Sequence, residues 1–159
     1  MASGDNRAEP LALDGSDLSV GILSARWNPD IVTRLVEGAQ RGLLDAGVTE
    51  FEHQTVPGAF ELPLSALLMA QSGTFDALIV LGAVIRGETT HYELVAGECG
   101  RGIMDVQLAT KIPIGMGVLT VENVAQAEAR SEGRGGHNVG EEAAVVAVEL
   151  AQLAAVLSA

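Results

Sequence analysis

The chain has 159 residues, 48% of them hydrophobic, and a formal net charge of −12, which suits one compact domain with its own core. So acidic a surface repels phosphate backbones and argues against nucleic-acid binding. It would also repel a small anionic substrate unless local Arg side chains and backbone N–H groups offset it. The one cysteine, Cys99, leaves no intrachain disulfide, and no apolar run is long enough to span a bilayer, so the expected location is the cytoplasm with no membrane partner.

Residues 1–17, rich in Asp, Ser, Gly and Pro and without periodicity, read as an N-terminal tail, with Leu11 and Leu13 available to pair with a neighbouring sheet edge. Residues 18–159 read as a single domain. LSVGILSA (18–25) has the pattern of a buried strand. Arg26-Trp27-Asn28-Pro29 ends it and opens a helix, with Asn28 suited to the N-cap and Pro29 to the first helical position. Val32, Leu35, Ala39, Leu43 and Ala46 then share one face and Asp30, Arg34, Glu37, Arg41 and Asp45 the other, until Gly47 stops the helix. EFEHQTV (50–56) alternates as a second strand. Pro57 to Pro63 is the next strand-to-helix turn, with a helix to about Gln71.

Residues 76–85 form a short continuous apolar run, the mark of a strand buried on both faces. Arg86-Gly87-Glu88-Thr89-Thr90 turns into a helix reaching about Ala109, with Leu94, Val95, Cys99, Gly102, Ile103 and Val106 on one face. IPIGMGVL (112–119) is the fourth strand. Thr120 to Asn123 leads into a short helix through Arg130, the glycine-rich residues 131–140 read as a loop or kink, and a last helix from Glu141 carries Val146, Leu150, Leu153 and Leu157 on one face. Strands alternating with helices predict an α/β fold: a three-layer α/β/α sandwich around a four-stranded parallel sheet.

Ligands in such folds bind beyond the carboxyl ends of the strands. That rule gathers four turns on one rim: Trp27, Gly58 to Glu61, Val84 to His91, and Thr120 to Asn123. Trp27 can stack on a planar heterocycle or cover the core edge. Glu61 can bind substrate hydroxyl and N–H groups or merely stabilise a helix start. Arg86-Gly87-Glu88-Thr89, without the pattern of a nucleotide-binding P-loop, suits one small phosphate. A lone His is usually structural or solvated, but His91 beside this anion turn is placed to act as a proton shuttle. Arg130 has the fork geometry that grips phosphate, although a surface Arg is the default. His53 and His137 lack metal-ligand spacing relative to His91, so no metal site is expected, and Cys99 reads as a small buried hydrophobe.

GAFELP (58–63), LGAVIRGETTHYELV (81–95) and GVLTVEN (117–123), in this order and spacing, resemble the 6,7-dimethyl-8-ribityllumazine synthase family from about residue 18 onward. The resemblance implies a flavodoxin-like fold and a transferase of the penultimate step of riboflavin biosynthesis. The enzyme would condense 5-amino-6-(D-ribitylamino)uracil with 3,4-dihydroxy-2-butanone 4-phosphate, with no organic cofactor. It implies that Trp27 stacks on the pyrimidine, that Ala59, Phe60 and Glu61 bind the ribityl chain and ring, and that Val84 and Ile85 line the ring pocket. It implies a phosphate cradle at Gly87, Glu88 and Thr89, a general acid/base at His91 and a phosphate-binding Arg130. Met116 stands where an adjacent subunit often supplies Phe. Sites shared between subunits of a homopentamer are implied, with a free pentamer, a dimer of pentamers and a sixty-subunit capsid left open and riboflavin synthase as a candidate partner. One departure is Asn138-Val139-Gly140 in place of Asn-Lys-Gly, which removes a positive charge.

Overall fold

The computed structural model describes residues 11–158. Four strands, β1 (Ser19–Ala25), β2 (Glu50–Val56), β3 (Ala77–Ile85) and β4 (Ile114–Val121), alternate with helices α1 (Pro29–Asp45), α2 (Leu62–Gln71) and α3 (His91–Thr110). Two helices follow β4: α4 (Val124–Glu128) and α5 (Val139–Leu157). A single 3₁₀ turn, Ala59–Glu61, precedes α2. All pairings are parallel, in the order β2-β1-β3-β4. This is a flavodoxin-like three-layer α/β/α sandwich.

Side-chain alternation along β1 and β3 divides the core. Val20, Ile22, Ile79 and Leu81 face the layer of α1 and α5. Leu23, Ala25, Leu78 and Val80 face the layer of α2 and α3. These two strands are central, so both faces of each are covered and their sequences are nearly unbroken apolar runs. β2 is an edge strand, buried only at Val56.

α1 buries the predicted stripe, including Val32, Leu35, Ala39 and Leu43, and Gly47 follows it with a positive φ of 86°. Complete burial of a Leu such as Leu35 or Leu43 contributes about 1.5–3 kcal/mol. α5 departs from expectation. It begins at Val139, and its buried residues are Gly140, Ala143, Ala144, Ala147, Val148 and Ala151. Val146, Leu153 and Leu157 are exposed. Small residues win this face because the helix lies so close to its neighbours: a Cβ on Gly115 of β4 would come 2.1 Å from Ala143 O, and one on Gly42 of α1 would come 2.8 Å from Ala144 Cβ.

Three smaller differences have local causes. β4 starts and ends two residues later than predicted, beyond Pro113, so Thr120 and Val121 belong to the strand. Asn28 occupies the N-cap position of α1 in the left-handed region, φ 57°, and caps nothing with its side chain. Its Nδ2 donates instead to Ala83 O at 2.9 Å, tying the end of β1 to β3. Residues 1–10 of the expected tail lie outside the described residues. From Leu13 the chain is held to the body: Leu13 packs on the core, Asp14 N donates to Gln152 Oε1, and Gly15 N donates to Ala46 O.

Candidate active site

The strand order reverses between β1 and β3, and beyond their carboxyl ends a cavity of about 500 Å³ opens. Its volume falls within the range of small-molecule sites. Trp27 and Asn28 enter it from the end of β1, Gly58 to Glu61 from the end of β2, and Ala83, Val84 and Ile85 from β3 itself. Gly87 and Thr89 come from the next turn, and His91, Tyr92, Leu94 and Val95 from the start of α3.

Three of the four predicted turns therefore converge. The fourth follows the edge strand β4 and contributes no lining residue. Of the predicted residues, Trp27, Ala59, Phe60, Glu61, Val84, Ile85, Gly87, Thr89 and His91 line the cavity, while Glu88, Met116 and Arg130 do not. Met116 is exposed on edge strand β4, and Arg130 follows α4 with Nη1 donating to Gln126 O at 2.9 Å.

The lining is mostly apolar with a few polar groups. Trp27 is 73% exposed and Phe60 54% exposed, so neither indole nor phenyl ring serves the core of this chain. Glu61 sits at the N-cap position of α2 yet makes no side-chain cap, and its carboxylate has no hydrogen-bond partner among the described residues. Merely stabilising the helix start by capping is thus not what it does here. His91 is the first residue of α3, with its N–H donating to Thr89 Oγ1 at 3.3 Å. The Gly87–Thr89 turn leads directly into the N-terminus of this 20-residue helix, where backbone N–H groups and the helix dipole favour an anion.

No Lys or Arg lines the cavity. Arg86, within the predicted anion turn, directs its guanidinium elsewhere: Nε donates to Glu122 Oε2 at 2.7 Å, Nη1 bonds Glu93 Oε1, and Cζ lies 4.2 Å from the centre of the Tyr92 ring. The Glu93 bond holds Arg86 above its ordinary pKa and, reciprocally, holds the Glu93 carboxyl below the usual range. Among the described residues no group of three or more His, Cys, Asp or Glu side chains is placed to hold a metal ion. Cys99 is buried in the α2/α3 layer away from the cavity, and burial pushes its thiol up to about 11, an inert state.

The model of the 6,7-dimethyl-8-ribityllumazine synthase family matches residues 17–155. The chain belongs to the 6,7-dimethyl-8-ribityllumazine synthase family. A lumazine synthase of this kind is a transferase of riboflavin biosynthesis acting on small molecules, and assembly into oligomers is typical of the family. The lumazine synthase motifs fall where the geometry is built: GAFELP forms the turn after β2, and LGAVIRGETTHYELV runs from β3 through the turn into α3. Reasoning from the sequence missed Asn28, Ala83, Tyr92, Leu94 and Val95 as lining residues. Leu94 and Val95 look like core positions by helical spacing, but Leu94 is 55% exposed at the helix's open end. For Tyr92 the available signal was its place beside His91 in the first turn. No described helix is long and apolar enough to cross a membrane.

Proposed function

We propose that this protein condenses 5-amino-6-(D-ribitylamino)uracil with 3,4-dihydroxy-2-butanone 4-phosphate to give 6,7-dimethyl-8-ribityllumazine, inorganic phosphate and water. The single observation that carries the reading is one cavity holding a solvent-facing indole, an uncapped carboxylate, a histidine and an anion-favouring helix start, drawn from three separate turns. That combination suits a planar, polyhydroxylated heterocycle beside a small phosphate ester.

In this reading the pyrimidine stacks on Trp27, with Val84 and Ile85 beneath it, and Ala59, Phe60 and Glu61 bind the ring edge and ribityl hydroxyls. The phosphate rests on the N–H groups of Gly87, Glu88 and Thr89. The primary amine attacks the ketone and loses water to form an imine. A proton then leaves carbon, phosphate departs with its bonding electrons, and the second amine closes the ring with loss of another water. His91 moves protons at these steps, and removing such a group costs on the order of 10²–10⁴-fold. The loss at His91 is expected at the lower end, because water and substrate carry part of the proton traffic. Holding two small polar molecules in register supplies much of the remaining acceleration.

The departing phosphate needs positive charge, and the cavity lining contains no Lys or Arg. We infer that Arg130 and Met116, which lie off this chain's own cavity, complete the site of a neighbouring copy in a homopentamer. Exposed Leu64, Leu68, Met104 and Leu108 on α2 and α3 are the apolar surface such an assembly would cover. The working location is the cytoplasm, in keeping with a buried free thiol at Cys99.

The test is to mix purified protein with both substrates and follow lumazine absorbance and fluorescence alongside phosphate release. Equal appearance of the two products supports the reading. A coloured, fluorescent preparation that binds lumazine without turning over would replace it with a binding module, and mass in solution tests the assembly.

A further inference from the structure

We propose that Arg86 is a positioning residue for this site: held between Glu93 and Glu122 and stacked on Tyr92, it locks the first turn of α3 beneath His91 and offsets two carboxylates at the edge of the phosphate cradle. The proposal rests on the functional reading above and assigns a role within the same site.

Arg86 directly follows the last residue of β3, and its N–H donates to Val121 O at 2.9 Å, so its backbone is fixed by the sheet. From that anchor one guanidinium reaches two elements. It bonds Glu93 in the first turn of α3 and Glu122 in the turn after β4. Its flat face covers Tyr92, which lines the cavity next to His91. A planar fork can bond two carboxylates and stack on a ring at once, and an ammonium cannot do all three. The same hub extends further: Glu122 N donates to Gln126 Oε1 at 2.8 Å, and Gln126 O accepts from Arg130 Nη1. The turns carrying His91 and Arg130 are thereby joined.

The charge balance points the same way. Glu93, Glu122 and Arg86 together carry one negative charge. Without Arg86 they carry two, beside an anion cradle whose cavity lining holds no Lys or Arg to offset them. Stability does not explain the cluster, because Glu93 and Glu122 are more than half exposed and such pairs contribute little to folding.

Steady-state kinetics with both substrates test this in the parent, Arg86→Gln, Arg86→Lys and the triple variant Arg86→Gln/Glu93→Gln/Glu122→Gln. Arg86→Gln is expected to raise KM for the phosphate ester about tenfold at low salt, with the effect shrinking as salt screens the carboxylates. The pyrimidine KM stays near the parent value and kcat falls severalfold. Arg86→Lys keeps the phosphate-ester KM but not the kcat, because charge survives and the fork and stack do not. The triple variant recovers KM without recovering kcat. An Arg86→Gln enzyme with parental constants, or one with equal KM increases for both substrates and a lowered melting temperature, overturns the proposal. If the parent itself makes no lumazine, the functional reading fails instead. Arg86 is then judged by amide hydrogen exchange at residues 91–94, which must quicken in Arg86→Gln, and unchanged exchange rejects the clamp.

Discussion

The indole of Trp27 lies against the backbone of Gly58: a Cβ on Gly58 would stand 3.2 Å from Trp27 Cδ1 and 3.1 Å from Glu61 Oε2. Two groups from different strand ends thus share a glycine as their spacer. The backbone there is extended, φ −153° and ψ 178°, so alanine brings no backbone strain. Gly58→Ala is therefore expected to displace the indole and the carboxylate while leaving the melting temperature unchanged. The pyrimidine KM should rise about tenfold, the scale of a misplaced positioning group. A parental KM would mean that Trp27 and Glu61 do not set pyrimidine affinity.

Trp27 and Arg130 should separate the two substrates. Trp27→Ala removes a ring that is already solvent-facing, so folding is unaffected and stacking alone is lost. Aromatic pairs are worth about 0.5–1.5 kcal/mol beyond buried area, which predicts up to about a tenfold rise in pyrimidine KM and little change for the phosphate ester. Arg130→Ala removes a charge-assisted hydrogen bond of about 1.5–3 kcal/mol and should act on the phosphate ester instead. Initial rates with each substrate varied in turn check this, and parental constants in both variants would undo the site assignment.

Val139 stands where the resemblance drawn from the sequence expects a Lys, and its N–H donates to Arg130 O at 2.9 Å. A Lys at this position would therefore stand on a residue bonded to the backbone of Arg130, the arginine proposed above to bind phosphate. Val139→Lys should lower the phosphate-ester KM severalfold. It should also destabilise the fold by about 0.3–1 kcal/mol, because a cation then sits at the positive end of α5, with further loss from the apolar packing of Val139. A fall in both KM and melting temperature, tighter phosphate-ester use at the cost of stability, is the signature to look for.

Those relationships show what the sequence could and could not tell. The order of elements was legible because β1 and β3 are unbroken apolar runs and α1 has a clean stripe. Nine of the twelve predicted site residues line the cavity, because strand ends and helix starts are written in local turn chemistry. What stayed hidden depends on distant partners. Nothing local says that Asn28 reaches Ala83 across the sheet, or that Arg86 is taken by Glu93 and Glu122. The α5 leucines misled for a related reason. Periodicity finds an apolar stripe but does not say that a closer-packed alanine stripe faces the core.

That close packing makes glycine substitutions differ in sign by position. A Cβ on Gly140 would come 2.0 Å from Leu35 O, a backbone atom that cannot move without shifting α1. Alanine's better helix propensity, about 1 kcal/mol, is outweighed, and Gly140→Ala should destabilise by about 1–3 kcal/mol. A Cβ on Gly97 of α3 meets nothing within 4 Å, so Gly97→Ala should stabilise by about 0.5–1 kcal/mol. Denaturant unfolding of the two variants gives the comparison directly, and a stabilised Gly140→Ala would show that α5 is not held as closely as described.

His53 supplies a pH dependence separate from catalysis. It lies on β2 with Nε2 2.6 Å from the Oγ of buried Ser24, and burial lowers its pKa below 6.5. Between its folded value and 6.5 the unfolded chain binds more protons than the folded one, so stability rises with pH through that window. The contribution is fully present above about 6.5 and is lost as pH falls through the folded value. His53→Gln keeps a polar partner for Ser24 and has no titrating ring. Its melting temperature should therefore fall less than the parent's between pH 7 and pH 5, and the two curves should draw closer as the pH drops. Parallel curves would show that the ring is not desolvated in the folded protein.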